Sequence, residues 1–291
     1  MPHYDLNDSS LRRVEIPGID SAFIISNPQL ESLLFNRNLI GLEFTRACEG
    51  ASVAFLRHFR PEIEHLDKGL AELLLLSKGL YYWMHNAFAQ VFERNLEINF
   101  AATRRAEVFN DSARIEIPYF NFDSTVENLI IGDTIASGAT ICSALSLYLQ
   151  HSHLERVFLF TIAGSIVGGQ AIAELCSSKG IDLILAYGLA AFGLGSNGFD
   201  LSFLHPATIT DEKHRARARI VYEGKPVSAV GWDFGTQAQA IRKYKMLCWL
   251  EAEYWGLEDS DIFSIKQQPE NLQLVEKERS AFTTKANNPE N

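Results

Sequence analysis

Only four cysteines, Cys48, Cys142, Cys176 and Cys248, occur in 291 residues, and no two of them form a Cys-x-x-Cys pair. That spacing excludes a disulfide scaffold or a zinc ribbon and reads as reduced thiols, so a cytoplasmic setting is expected. Long apolar runs are also missing. The most hydrophobic stretch, residues 70–92, is interrupted by Glu72, Lys78, His85, Asn86 and Gln90, so no membrane span is expected. Residues 1–10 are polar and lack the apolar core of a signal peptide. Positive charge is scarce: 26 Lys and Arg stand against 36 Asp and Glu, a formal net charge of −10, which argues against nucleic acid as a partner. There is no Gly-x-Ser-x-Gly elbow, and the pairs His58/His65 and His151/His153 have no third partner at zinc-ligand spacing. Residues 129–140 carry neither the lysine-bearing nucleotide loop Gly-x-x-x-x-Gly-Lys-Ser/Thr nor the three spaced glycines of a dinucleotide fold.

What is present is an ordinary globular balance, 47% hydrophobic and 21% charged, in a chain long enough for one large α/β domain with additions. Its most informative stretch is residues 129–140. Leu129-Ile130-Ile131 reads as a buried strand of a parallel sheet, ending at Gly132-Asp133. Thr134, Ala136, Ser137, Gly138, Ala139 and Thr140 then form a loop of hydroxyls and small residues, and residues 141–149 read as an amphipathic helix. A helix N-terminus offers unpaired N–H groups and the positive end of the macrodipole, while glycine lets the backbone approach a ligand closely. The expected arrangement is strand, phosphate cradle, helix.

Similar alternation surrounds it. Residues 22–25 read as a short strand, and Asn27-Pro28 begins a helix over 30–35. Residues 38–44 read as a strand, 45–50 as a polar loop carrying Arg46, and 51–59 as a helix. Residues 66–96 are apolar around much of the circumference and read as a long helical segment, a packing or dimer-interface element. Residues 98–102 and 114–119 read as paired strands, with Arg104 and Arg105 between them. Residues 157–163 and 181–186 add two buried strands around a helix at 171–179, and this alternation predicts a parallel sheet with ligands at the C-terminal strand ends. The glycine-rich residues 193–198 read as a turn, and the basic residues of 207–219 as a solvated face. Ser228-Ala229-Val230-Gly231-Trp232-Asp233-Phe234-Gly235-Thr236 precedes a helix at 237–250, and the chain then turns acidic and polar. Arg46 and Arg104/Arg105 read equally as anion ligands or as solvated surface cations. Trp232 reads as a stacking partner for a flat ligand or as a core residue.

The stretch Gly132-Asp133-Thr134 through Ser137-Gly138-Ala139-Thr140 resembles the phosphoribosyl-pyrophosphate (PRPP) loop of type I phosphoribosyltransferases. Gly132 stands at the first of the family's two acidic positions. Arg46-Ala47 resembles the Arg-Ala-Gly loop of the uracil branch, and Asp233-Phe234-Gly235 the centre of that branch's Gly-Asp-Ala-Gly-Asp pattern. Trp232 replaces its preceding glycine and Thr236 its second aspartate. The resemblance implies a parallel-sheet α/β type I phosphoribosyltransferase fold over residues 1–256, with a helical insertion at about 66–96, and a partly disordered C-terminal extension over 257–291. It implies transfer of 5-phosphoribosyl from PRPP to a nitrogen of a small planar acceptor, uracil or another nucleobase-like ring, with release of pyrophosphate by a cytoplasmic homodimer. Thr134 and residues 136–140 would hold the 5-phosphate, and Asp133 the ribose hydroxyls or the acceptor side. Arg46, Arg104 and Arg105 would hold the pyrophosphate, Trp232 and Gly235 the acceptor, and Asp233 a magnesium ion (Mg2+) through water. Two alternatives remain: a non-catalytic regulator binding PRPP or a nucleotide, and an enzyme of specialised metabolism with a different acceptor.

Overall fold

The computed structural model describes residues 8–36, 39–66, 69–76, 78–106, 114–194, 202–222, 224, 227–229 and 232–236. The expected helix at 237–250, the C-terminal extension and most of the glycine-rich turn lie outside the described residues. In chain order come strands β1 (Ser10–Ile16) and β2 (Ile19–Ser26), then helices α1 (Pro28–Phe35), α2 (Gly41–His58) and α3 (Arg60–Glu64). Strand β3 (Leu70–Leu76), a 3-10 turn (Lys78–Tyr82), helix α4 (Met84–Phe92) and the hairpin β4 (Glu97–Ala106) with β5 (Arg114–Asn121) follow. Next are β6 (Asn128–Gly132), α5 (Ala139–Tyr148), β7 (Arg156–Thr161), β8 (Gly164–Ser165), α6 (Ile166–Ser178) and β9 (Asp182–Gly188). The described part closes with β10 (Ala190–Phe192), β11 (Ile209–Thr210), α7 (Glu212–Val221) and a second 3-10 turn (Trp232–Thr236).

Eight strands form one sheet in the order β1-β2-β9-β7-β6-β3-β4-β5. From β2 to β4 every neighbouring pair is parallel, and the outer strands β1 and β5 close the edges antiparallel. Strand alternation sends Leu129, Ile131, Val157 and Leu159 to one face, under α5 and α6. Ile130, Phe158 and Phe160 point to the other, under α1, α2 and α4. A sheet covered on both faces explains why β6 is buried at every position. A small second sheet, β11-β10-β8, sits beyond β7 and β9 and joins the loop after β6 through a bridge from Ile135 to Gly164.

The segment 66–96 is not a helical insertion. Leu70–Leu76 is β3, an interior strand between β6 and β4, and only Met84–Phe92 is α-helical. A strand buried on both faces is apolar at successive positions, a pattern that a short run shares with a buried helix. Residues 38–50 also differ from expectation. Gly41–His58 is one continuous helix, so Arg46 projects from α2 as an exposed residue, not from a strand-end loop. The start of α1 matches its sequence signal: Asn27 is the N-cap, its Oδ1 accepting the Leu30 N–H at 2.7 Å, and Pro28 fills the first turn. The basic side chains of α7 are engaged in the structure. Arg215 donates to the carbonyls of Phe203 and Thr208, Arg217 pairs with Glu31, and Arg219 pairs with Glu212. No helix among the described residues is long and apolar enough to cross a membrane.

Candidate active site

The C-terminal end of β6 delivers the loop read from the sequence. Gly132 ends the strand, Asp133 follows with its N–H on Phe160 O (3.1 Å), and Gly138 caps α5 in the left-handed region at φ +78°. A β-carbon on Gly138 would stand 2.6 Å from Gly168 O, and one on Gly168 would stand 2.3 Å from Ala136 O. The loop and the first turn of α6 therefore meet backbone to backbone, at a distance that only glycine permits. The carbonyls of Ile135 and Ala136 turn toward α6: Ile135 O accepts the Ser165 N–H at 2.8 Å, and Ala136 O accepts the Ser165 hydroxyl. Ser165 in turn caps α6 by accepting the Gly168 N–H at 2.8 Å. No side chain caps α5. Its first N–H groups have no intrahelical partner, and they face the rim beside exposed Ser137 and half-buried Thr140 and Thr134.

Two buried carboxylates and one lysine complete the rim. Asp133 is 4% exposed and its Oδ1 accepts the Thr134 N–H at 2.8 Å. Asp233, on the second 3-10 turn, is 2% exposed; its Oδ2 lies 3.5 Å from Lys78 Nζ, and its Oδ1 is buried without a hydrogen-bond partner. Burial pushes the Asp133 carboxyl up to about 7; the Thr134 N–H and Lys78 oppose the shift and the Asp233 charge adds to it. Cys48 of α2 feels the same acid: burial, then the Asp233 charge, raises its thiol, which leaves it inert as a nucleophile.

The Trp232–Thr236 turn is fixed by three contacts. Trp232 Nε1–H donates to Thr134 Oγ1 at 3.1 Å, Lys78 faces Asp233, and Gly235 packs on Phe44 so closely that a β-carbon would stand 2.2 Å from its ring. Trp232 is 3% exposed, stacked on Phe44 at 6.1 Å and edge-on to Tyr82 at 5.7 Å. Of its two readings the core one holds, because an indole buried between two rings offers no free face to a ligand. The Thr134 hydroxyl is bound up in the same packing, between the Trp232 indole and the Tyr82 hydroxyl.

Tyr82 explains the absent first acid. Its ring lies against Gly132, where a β-carbon would be 2.7 Å from Cγ, and its hydroxyl accepts the Ile162 N–H at 3.0 Å. An aromatic side chain thus fills the space that a residue other than glycine at position 132 would need.

Solved structures of phosphoribosyltransferases resemble this sheet. Orotate phosphoribosyltransferase of Mycobacterium tuberculosis with PRPP aligns at 15% identity over 56% of this chain and 90% of its own, with a TM-score of 0.33. Adenine phosphoribosyltransferase of Trypanosoma brucei with AMP, pyrophosphate and ribose-5-phosphate aligns at 13% identity over 62% and 87%, with a TM-score of 0.39. The AQ2163 protein of Aquifex aeolicus aligns at 16% identity over 60% and 91%, with a TM-score of 0.46. No protein-family model matches this chain, and no curated protein does. Identities this low concern the course of the backbone and assign no ligand.

The site thus gathers Asp133, Thr134, residues 136–140, Trp232, Asp233 and Gly235. Arg46 is exposed on α2, and Arg104 is exposed on β4, paired with Glu116 of β5 at 2.7 Å. Arg105 carries backbone pairing to Ile115, and residues 107–113 lie outside the described residues. Among the described residues the cation beside the acids is Lys78, which sequence reading missed. Its signal was present: an apolar run, then Ser77-Lys78-Gly79, repeats the strand-then-loop pattern of residues 129–134. Gly79 confirms the proximity, since its β-carbon would lie 3.2 Å from Gly132 O.

Proposed function

We propose that this protein is a phosphoribosyltransferase that moves 5-phosphoribosyl from PRPP to a ring nitrogen of a planar acceptor and releases pyrophosphate. The observation that carries the reading is the meeting of three features at one rim of a parallel sheet. They are the uncapped α5 N-terminus behind Gly138, the buried acids Asp133 and Asp233, and Lys78. The N–H groups of residues 139–141 and the hydroxyls of Ser137 and Thr140 would hold the 5-phosphate, a dianion suited to a helix N-terminus. In the transfer the bond from ribose C1 to the pyrophosphate oxygen breaks while the bond to the acceptor nitrogen forms. Positive charge develops on the ribose and negative charge on the leaving group. Asp133 would face the first and Lys78 the second, so that catalysis would rest on placement and electrostatics. With its carboxyl held near 7, Asp133 could also accept the proton that the acceptor nitrogen gives up.

The residues fit a magnesium ion held through water. Asp233 Oδ1 is a buried carboxylate oxygen without a partner, and among the described residues no group of three His, Cys, Asp or Glu side chains could hold a metal alone. Such an ion would neutralise pyrophosphate charge when bound, with Asp233 and Asp133 on its protein side. A second reading, a PRPP- or nucleotide-binding regulator, is favoured by Tyr82, whose ring excludes an acidic side chain at position 132. Incubation with PRPP, Mg2+ and a panel of nucleobases and small aromatic acids, with pyrophosphate release as readout, separates the two. Release with one acceptor supports the enzyme; binding of PRPP without release across the panel supports the regulator.

A further inference from the structure

Lys78 is the cation beside two buried carboxylates that need one. It is half exposed, begins the 3-10 turn directly after β3, and faces Asp233 at 3.5 Å, longer than a tight charge-assisted hydrogen bond. A single ammonium placed there leaves Asp233 Oδ1 buried and unsatisfied. Buried acids without full compensation are costly, so the pair has capacity for a larger positive charge than lysine supplies. The far side of Lys78 is open to solvent, at the rim where an anionic ligand would arrive on α5.

We propose that Lys78 is a resident stand-in for a divalent cation: it occupies the charge position between Asp233 and Asp133 in the free protein and leaves it for the phosphates of an incoming ligand. The ion and the anionic ligand then enter together. A free cation meets acids whose charge lysine already offsets in part, whereas a cation accompanied by phosphate draws the ammonium away from Asp233. Lysine suits this exchange because its head is a single point charge on a flexible stem. Binding of ion and ligand becomes reciprocal, each raising the affinity for the other. The inference rests on the proposed anion site at α5, but its first test needs no phosphoribosyl ligand.

The test is titration of Mn2+ alone, followed by electron paramagnetic resonance, into the full-length wild-type chain, Lys78→Met and Lys78→Met/Asp233→Asn. Removing one positive charge a few ångströms from the ion should raise Mn2+ affinity in Lys78→Met by at least about tenfold, and Asp233→Asn should abolish that gain. Equal Mn2+ affinity in wild type and Lys78→Met overturns the inference, and so does a gain that survives Asp233→Asn. Lys78→Gln serves as a second single variant should the Met variant misfold, and the same outcomes apply to it. Inorganic pyrophosphate supplies the complementary arm. It should strengthen Mn2+ binding to the wild type, beyond its own chelation measured without protein, and add little to Lys78→Met. Absence of PRPP binding by the wild type would remove the phosphoribosyl reading while leaving the Mn2+ result to judge the stand-in by itself.

Discussion

Gly132 and Tyr82 should behave as one steric unit, and their coupling can be given a size. A β-carbon at 132 would lie 2.7 to 2.8 Å from Cγ, Cβ and Cδ1 of Tyr82, well inside contact distance. Tyr82 has little room to retreat: it is fully buried, its hydroxyl is bound to the Ile162 N–H, and its ring packs edge-on against Phe160 and Trp232. Gly132→Ala should therefore overpack the site and cost about 1–3 kcal/mol. Tyr82→Ala leaves a cavity beneath β6 and should cost about 3–5 kcal/mol, as a large aromatic truncation does. In the double variant the added methyl enters space the ring has vacated, so the total should fall at least about 1 kcal/mol short of the sum. Equilibrium urea unfolding, followed by tryptophan fluorescence and circular dichroism together, measures all three. Additivity to within about 0.5 kcal/mol would refute the claim that Tyr82 dictates glycine at 132.

Other consequences follow from the same contacts. Gly138→Ala forces a side chain into left-handed backbone against Gly168 O; it should lower stability by at least about 1–2 kcal/mol and remove the rise in melting temperature that PRPP with Mg2+ should produce in the wild type. Trp232→Phe deletes the donor to Thr134 Oγ1 and should cost about 1 kcal/mol by thermal unfolding, with most of the loss absent in a Thr134→Val background. Burial raises the Asp133 carboxyl from 3.8 to about 7, so the folded state holds its proton more tightly than the unfolded chain; stability should decline as pH rises from about 4 to about 7, and Asp133→Asn should flatten that decline in a melting-temperature profile. The hydrogen bond that His85 Nδ1–H donates to the Glu72 carboxylate raises the imidazole, against partial burial and with further help from the Glu72 and Glu49 charges. Its contribution should be full below about 6.5 and fade as pH rises through the higher folded value, and His85→Gln should remove that step.

The part of the site that could be read from the chain is the part whose chemistry is local. Leu129-Ile130-Ile131, Asp133 and Ser137-Gly138 mark strand, acid and cradle within twelve residues, and the structure joins them as read, because a buried parallel strand and a glycine turn each leave a strong sequence trace. The strands at 98–102 and 114–119 were legible as a pair, but β4 runs on to Ala106 and takes Arg104 and Arg105 out of the expected connection into the strand. The fold was obscured where apolar residues run together: β3 reads as helix by periodicity, and only its partners β6 and β4 reveal it as a strand. That single error hid Lys78, which becomes a site residue once β3 places it at the same rim as Gly132. Arg46 shows the opposite failure, since its match to a loop motif rested on order along the chain while α2 runs unbroken through it. The burial of Trp232 could not be read from its sequence neighbours, because the rings that enclose it, Phe44 and Tyr82, come from elements far upstream.

The central claim is that the rim formed by α5, Asp133, Asp233 and Lys78 binds PRPP together with a divalent ion. Calorimetric titration of PRPP into the wild type and Asp233→Asn, each with Mg2+ and with chelator, tests it most directly. Saturable binding by the wild type in Mg2+, weakened at least about tenfold by chelator and by Asp233→Asn, is the predicted result, a coupling of about 1.4 kcal/mol or more. Absence of PRPP binding by the wild type in Mg2+, or binding indifferent to both Mg2+ and Asp233, would contradict it.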